Sequence, residues 1–139
     1  MAIKMRVLLA SGKKKIKNIA EMIKSQYSLA FNAVDVIPPA YPCDKERIVI
    51  LAISAKGNVN DTVRLFCREL TKARAQNVAL IIDGDVAVAN NLKSILAEAG
   101  TNTIDEVLYV KCGLFGGSVK PDEKAQICAW VDRVCANLK

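Results

Sequence analysis

The chain has 139 residues, 52% of them apolar and 24% charged. That profile belongs to a globular chain able to bury about two-thirds of its unfolded surface, and it excludes disorder, collagen and coiled coil. No apolar run approaches the ~20 residues of a membrane helix, and the apolar stretch Val7 to Ala10 is too short for a signal peptide. A cytoplasmic protein with no membrane span, forming one domain over residues 1–139, is expected. The net charge of +6 is confined to the start of the chain. Lys4, Arg6, Lys13, Lys14, Lys15, Lys17 and Lys24 face only Glu21 there, while the remainder balances. A neutral domain carrying one basic patch is the first functional clue.

In chain order, Met5 to Ala10 reads as a strand buried on both faces. Ile16, Ile19, Ala20 and Ile23 follow at helical spacing. A short strand, Ala33 to Ile37, ends at Pro38-Pro39, and an irregular connection runs to Glu46. Ile48 to Ser54 is a further buried strand, and Val63, Phe66, Cys67 and Leu70 repeat the helical period. Val78 to Ile82 is the next strand; Val88, Leu92, Ile95, Leu96 and Ala99 form a helix stopped by Gly100. Glu106 to Val110 reads as the last strand, and Pro121 opens a helix with Ile127, Val131, Val134 and Leu138 on its apolar face. Continuous apolar strands alternating with amphipathic helices imply an α/β fold: a three-layer, doubly wound, five-stranded parallel sheet of order 2-1-3-4-5.

In such a sheet ligands bind outside the carboxyl ends of the strands, at the switch point. Ser11-Gly12-Lys13-Lys14-Lys15 runs there straight into a helix, whose free N–H groups and dipole attract anions. Lysines at that end are unfavourable by about 0.3–1 kcal/mol each without an anion, so the loop reads either as a phosphate site or as a solvated face. Ser54-Ala55-Lys56-Gly57-Asn58 and Asp83-Gly84-Asp85 supply the neighbouring loops. The two aspartates suit acid–base work, a cation site, or helix capping and turn formation. Cys112 follows Lys111, which could depress its thiol pKa, and is otherwise an inert buried thiol.

Several classes drop out. The five cysteines form no C-x-x-C and histidine is absent, which argues against a zinc site and removes Ser-His and Cys-His catalysis. No catalytic or metal-ligating residues are assigned, and an electron carrier or binding domain is favoured over a catalyst. The five thiols read as free, and four of them fall in apolar patterns. A response-regulator receiver would need an acidic pair after the first strand and an aspartate after the third, where Ser11-Gly12 and Ser54-Ala55 stand. The basic patch lacks the aromatic interleaving and recognition motif of nucleic-acid binders.

The first strand with Ser11-Gly12 and Asn18-Ile19-Ala20-Glu21-Met22-Ile23 resembles the phosphate loop and first helix of flavodoxins. Leu51 to Gly57 with Val63-Arg64-Leu65-Phe66, then Ala79 to Asp85 and Val110 to Gly117, resemble the family's later strands and loops. The resemblance spans nearly the whole chain as a pattern of elements. It implies FMN as cofactor, electron transfer as activity and an anionic redox protein as partner. FMN would contact Ser11, Gly12 and Lys13–Lys15 at its phosphate, with Ser54, Ala55, Lys56, Gly57, Asn58, Asp83, Gly84 and Asp85 flanking the ring. Gly57 would be the family's reorienting loop glycine, or an ordinary turn glycine. The chain departs from the pattern in three ways. Lysines replace the hydroxyls after Gly12, residues 54–60 and 83–90 carry no aromatic, and the charge is basic where the family is acidic. Tyr27 and Tyr41 are the distant candidates for stacking, and Trp130 and Tyr109 read as core or half-buried. The alternative reading is a flavin-free domain of this fold that binds an anionic ligand or protein partner through the basic loop.

Overall fold

The computed structural model describes residues 3–112 and 119–139. Its elements are β1 (Met5–Ala10), α1 (Lys14–Gln26), a short 3-10 turn (Phe31–Ala33), β2 (Val34–Val36), β3 (Ile48–Ser54) and α2 (Asp61–Arg68), followed by β4 (Asn77–Asp83), α3 (Val86–Ala99), β5 (Asn102–Thr103), β6 (Leu108–Tyr109) and α4 (Pro121–Ala136). All strands pair in parallel in one sheet of order β2-β1-β3-β4-β5, with β6 also on β4.

Alternation along the central strands divides the core into two layers. Val7, Leu9, Ile50, Ala52, Ala79 and Ile81 face Ile16, Ile19, Ala20 and Ile23 of α1 and Ile127, Trp130, Val131 and Val134 of α4. Leu8, Val49, Leu51, Ile53, Leu80 and Ile82 face Val63 and Cys67 of α2 and Val88, Leu92 and Leu96 of α3. The unbroken apolar strands are therefore buried on both faces, and the sheet is the three-layer, doubly wound α/β arrangement expected.

Two elements differ from expectation. The fifth strand position is filled by two short pieces, β5 beside the start of β4 and β6 beside its end. Between them Asp105 and Glu106 leave the ladder. Glu106 is held outward by Arg133 of α4 in a bidentate pair at 3.1 and 2.6 Å, and its carbonyl accepts the Trp130 indole N–H at 3.0 Å. The helical period of Leu70 also misleads, because α2 ends at Arg68 and Leu70 is buried from the turn beyond it.

Among the cysteines, Cys43 and Cys67 are buried and Cys112, Cys128 and Cys135 are half-buried, all as free thiols. No helix among the described residues is long and apolar enough to cross a membrane.

Candidate functional site

Four chain segments converge at the carboxyl ends of β1, β3, β4 and β6. Ser11 and Lys13 follow β1, Ser54 ends β3, Asp83 ends β4, and Lys111 and Cys112 follow β6. Ser11, Lys13, Ser54 and Asp83 form a closed ring of hydrogen bonds. The Lys13 amide donates to Ser11 Oγ at 3.1 Å; Ser11 Oγ and Ser54 Oγ lie 2.8 Å apart; Ser54 Oγ lies 2.8 Å from Asp83 Oδ2; and Lys13 Nζ returns to Asp83 Oδ2 at 2.7 Å. An ionised carboxylate only accepts, so the single Ser54 hydroxyl proton goes to Asp83 and the Ser11 hydroxyl donates to Ser54. The Cys112 amide approaches the other carboxylate oxygen at a long 3.5 Å.

Burial alone pushes the Asp83 carboxyl up, but hydrogen bonds from Lys13, Ser54 and the Cys112 amide outweigh it and hold the group below the usual carboxylate range. The hydrogen bond to Asp83 correspondingly raises Lys13. Both members of the ring therefore stay charged around neutral pH.

The three consecutive lysines have three different fates. Lys13 is neutralised by Asp83. Lys15 is buried, and its ammonium sits 2.6 Å from Glu123 Oε2 and 2.8 Å from the Lys111 carbonyl oxygen. It thereby ties α1 to α4 and to the segment after β6. Lys14 is exposed, and no side-chain partner for it is found among the described residues. Lys15 stands four residues before Ile19 and next to Ile16, so its place on the border of the buried face was visible in the spacing. Its partner Glu123, 108 positions away, was not.

The N-terminus of α1 also differs from those of the other helices. Asn60 caps α2 through Val63 N, Asp85 caps α3 through Val88 N, and Glu123 of α4 reaches back to the Lys120 amide. At α1 the N-cap residue Lys13 makes no side-chain capping bond and the first turn holds no acid. Among the described residues its leading N–H groups thus have no side-chain acceptor, next to the exposed Gly12 and Lys14.

The remaining predicted residues support the loops. Gly84 allows two loops to touch: a Cβ there would lie 2.6 Å from the Ala55 carbonyl oxygen. The Ala55 amide in turn donates to the Asp83 carbonyl at 3.2 Å. Gly57 has a φ of +71°, the left-handed conformation of a turn glycine, and Lys56 and Asn58 bridge across it. Lys56 and Asn58, with Ser54 of the hydrogen-bonded ring, line a cleft of about 220 Å³ toward α2. Asp85 is committed to its cap, so Asp83 and Asp85 do not act as a pair. Among the described residues no group of three or more potential ligands could hold a metal ion. At Cys112 burial and the neighbouring Asp83 push the thiol up, against the smaller pull of Lys13 and Lys15, so it is not an activated thiolate.

No protein-family model matches the chain, and no curated protein matches its sequence. The functional reading therefore rests on the fold and on the residues at its switch point.

A flavin fits this site at one end. The uncapped α1 N-terminus, Ser11, Gly12 and Lys14 suit a phosphate. The loops at 54–60 and 83–90 offer no aromatic to a planar ring, and the 220 Å³ cleft falls below the ~300 Å³ at which ligand pockets begin. Tyr27 and Tyr41 lie at the opposite end of the sheet, beside the start of β1. Gly113 to Gly117, part of the resemblance to the family's last loop, fall outside the described residues.

Proposed function

We propose that this protein is a flavodoxin-like domain that takes the phosphate group of an anionic ligand at the N-terminus of α1. FMN is the ligand implied by the resemblance, and electron transfer is its use. The observation that carries the reading is the start of α1, uncapped among the described residues and set at the switch point of a 2-1-3-4-5 sheet beside Ser11, Gly12 and the exposed Lys14. Exposed Lys14, Lys17, Lys56 and Lys111 give a basic rim suited to an anionic partner protein. When bound, FMN would supply the redox chemistry, while the chain would bind and orient it. The absence of aromatics from the two described ring-side loops favours a second form of the reading: a flavin-free domain that binds another phosphate-bearing ligand at the same place.

Titration with FMN and with riboflavin separates the two forms. Saturable quenching of flavin fluorescence, weaker for riboflavin because it lacks the phosphate, supports the electron-carrier form. No flavin binding at high micromolar concentration, with phosphate still raising the melting temperature more than chloride at equal ionic strength, supports the flavin-free form. Equal responses to phosphate and chloride, unchanged in Lys14→Ala, would overturn both.

A further inference from the structure

At the amino ends of the strands, away from the switch point, two opposite charges stand unpaired on the wall of one cavity. Glu46, just before β3, is only 6% exposed. Its backbone is committed: the amide donates to the Arg74 carbonyl at 3.0 Å and the carbonyl accepts the Gln76 amide at 2.9 Å. Its carboxylate makes no hydrogen bond or ion pair among the described residues, and its oxygens are not among the side-chain atoms sealed from water there. Burying an ionised carboxylate without a partner is costly, and a cation arriving from solvent removes that cost. Lys4 carries the opposite charge on an exposed side chain. Its ammonium donates to the Asp44 carbonyl at 2.5 Å and keeps two donors for another acceptor. None of the ion pairs among the described residues joins Lys4 to Glu46.

Lys4 and Glu46 both line a cavity of about 480 Å³, well inside the range of small-molecule sites at about 300–1,000 Å³. The backbone of Glu46 is turned to residues 74–76, so its side chain is what it offers the cavity. Arg6 and Asp44 are the other charged residues of the lining, which makes two cations and two anions. Arg6 has no donor to give: its Nη1 is taken by the Tyr41 carbonyl at 3.0 Å, and its Nε and Nη2 are sealed from water. A lining of balanced charge favours a ligand that carries both signs over a lone cation or anion. Met5, Leu29 and Pro42, with the 64% exposed Tyr41, give a hydrocarbon body an apolar surface to cover.

We propose that this cavity binds a zwitterionic α-amino acid with an apolar side chain, its carboxylate on the Lys4 ammonium and its ammonium on the Glu46 carboxylate. The site is independent of the phosphate reading at α1. Calorimetric titration of the full chain with L-phenylalanine tests it, against 3-phenylpropionate, which lacks the ammonium, and 2-phenylethylamine, which lacks the carboxylate. Phenylalanine should bind saturably, and each analogue should bind at least about ten-fold more weakly, as expected for loss of one charge-assisted pair. Lys4→Met should weaken phenylalanine binding by about ten-fold and leave 2-phenylethylamine unchanged. Glu46→Gln should weaken phenylalanine binding by about the same factor and leave 3-phenylpropionate unchanged. Lys4 and Ala30 are both exposed, so two variants serve if Glu46→Gln fails to fold: Lys4→Met, and Ala30→Trp at the rim, which should block all three ligands with both charges intact. An analogue that binds as well as phenylalanine, undiminished phenylalanine binding in Lys4→Met or Ala30→Trp, or no saturation by phenylalanine at millimolar concentration would each overturn the proposal.

Discussion

Replacing Glu123 by alanine would strand the Lys15 ammonium inside the protein. The Lys15 side chain is 7% exposed and that of Glu123 is 28% exposed, at an N–O distance of 2.6 Å. In Glu123→Ala the Lys111 carbonyl alone remains as acceptor among the described residues. Removing one partner of a fully buried pair costs about 3–5 kcal/mol. Glu123 is partly solvated, so water can reach the gap, and about 2 kcal/mol is the appropriate figure. At about 2.1 cal/mol/K per residue, unfolding this chain carries an entropy near 0.3 kcal/mol/K, so the melting temperature should fall by about 7 °C. Thermal and urea melts followed by circular dichroism measure this. The double variant Lys15→Met/Glu123→Ala should recover part of the loss, because no charge is then left buried. The Lys15 hydrogen bond holds the Glu123 carboxyl below its usual range, so its stabilisation is complete above the unfolded pKa and is lost as pH falls through the lower folded one. The difference between wild type and Glu123→Ala should therefore be constant from about pH 6 to 8 and close below about pH 4. A melting point for Glu123→Ala within about 2 °C of wild type, or a double variant less stable than Glu123→Ala alone, would refute the buried-pair account.

Asp83→Asn should keep an acceptor for Ser54 but free the Lys13 charge, lowering stability by about 1 kcal/mol while strengthening phosphate binding; urea melts and phosphate titration read the two effects separately. Because Asp83 is depressed and Lys13 raised, the intact ring should contribute constant stability across pH 5–9, with the Asp83 share lost only as acid protonates its carboxyl below the ordinary range. Gly84→Ala should destabilise the fold by about 1–3 kcal/mol, since the new methyl meets the Ala55 carbonyl, and amide shifts should spread into residues 55–58. Among the thiols, Cys67 is fully buried and pushed up to about 12 by burial, so it should resist a thiol reagent at neutral pH until the protein unfolds, whereas half-buried Cys128 should react earlier; mass spectrometry of timed reactions checks the order.

The fold was legible because its sequence signals are local. Runs such as Ile48–Ser54 and Val78–Ile82 have no polar face, which only a strand covered on both sides accommodates. The stripe Ile16, Ile19, Ala20 and Ile23 marked α1 for the same reason. The split of the fifth strand was not legible, because Glu106 leaves the ladder for a partner on α4, and nothing near Glu106 in sequence announces Arg133. The candidate site followed the same division. Topology alone brought Ser11, Ser54 and Asp83 together, whereas the pairing of each lysine depended on carboxylates 70 and 108 positions away.

Those distant pairings change what the basic patch means. Counted along the chain, Lys13, Lys14 and Lys15 form one block of positive charge at a helix start, where charge of that sign is unfavourable. In the folded protein Asp83 and Glu123 remove two of the three, leaving Lys14 beside an uncapped α1. Arg6 belongs to the same run of basic residues and has another fate: it is buried at the other end of β1, where its Nη1 donates to the Tyr41 carbonyl. The excess charge of residues 1–24 is therefore not a single surface. Part of it is held inside the structure, and what remains at the switch point is a solvated rim suited to phosphate.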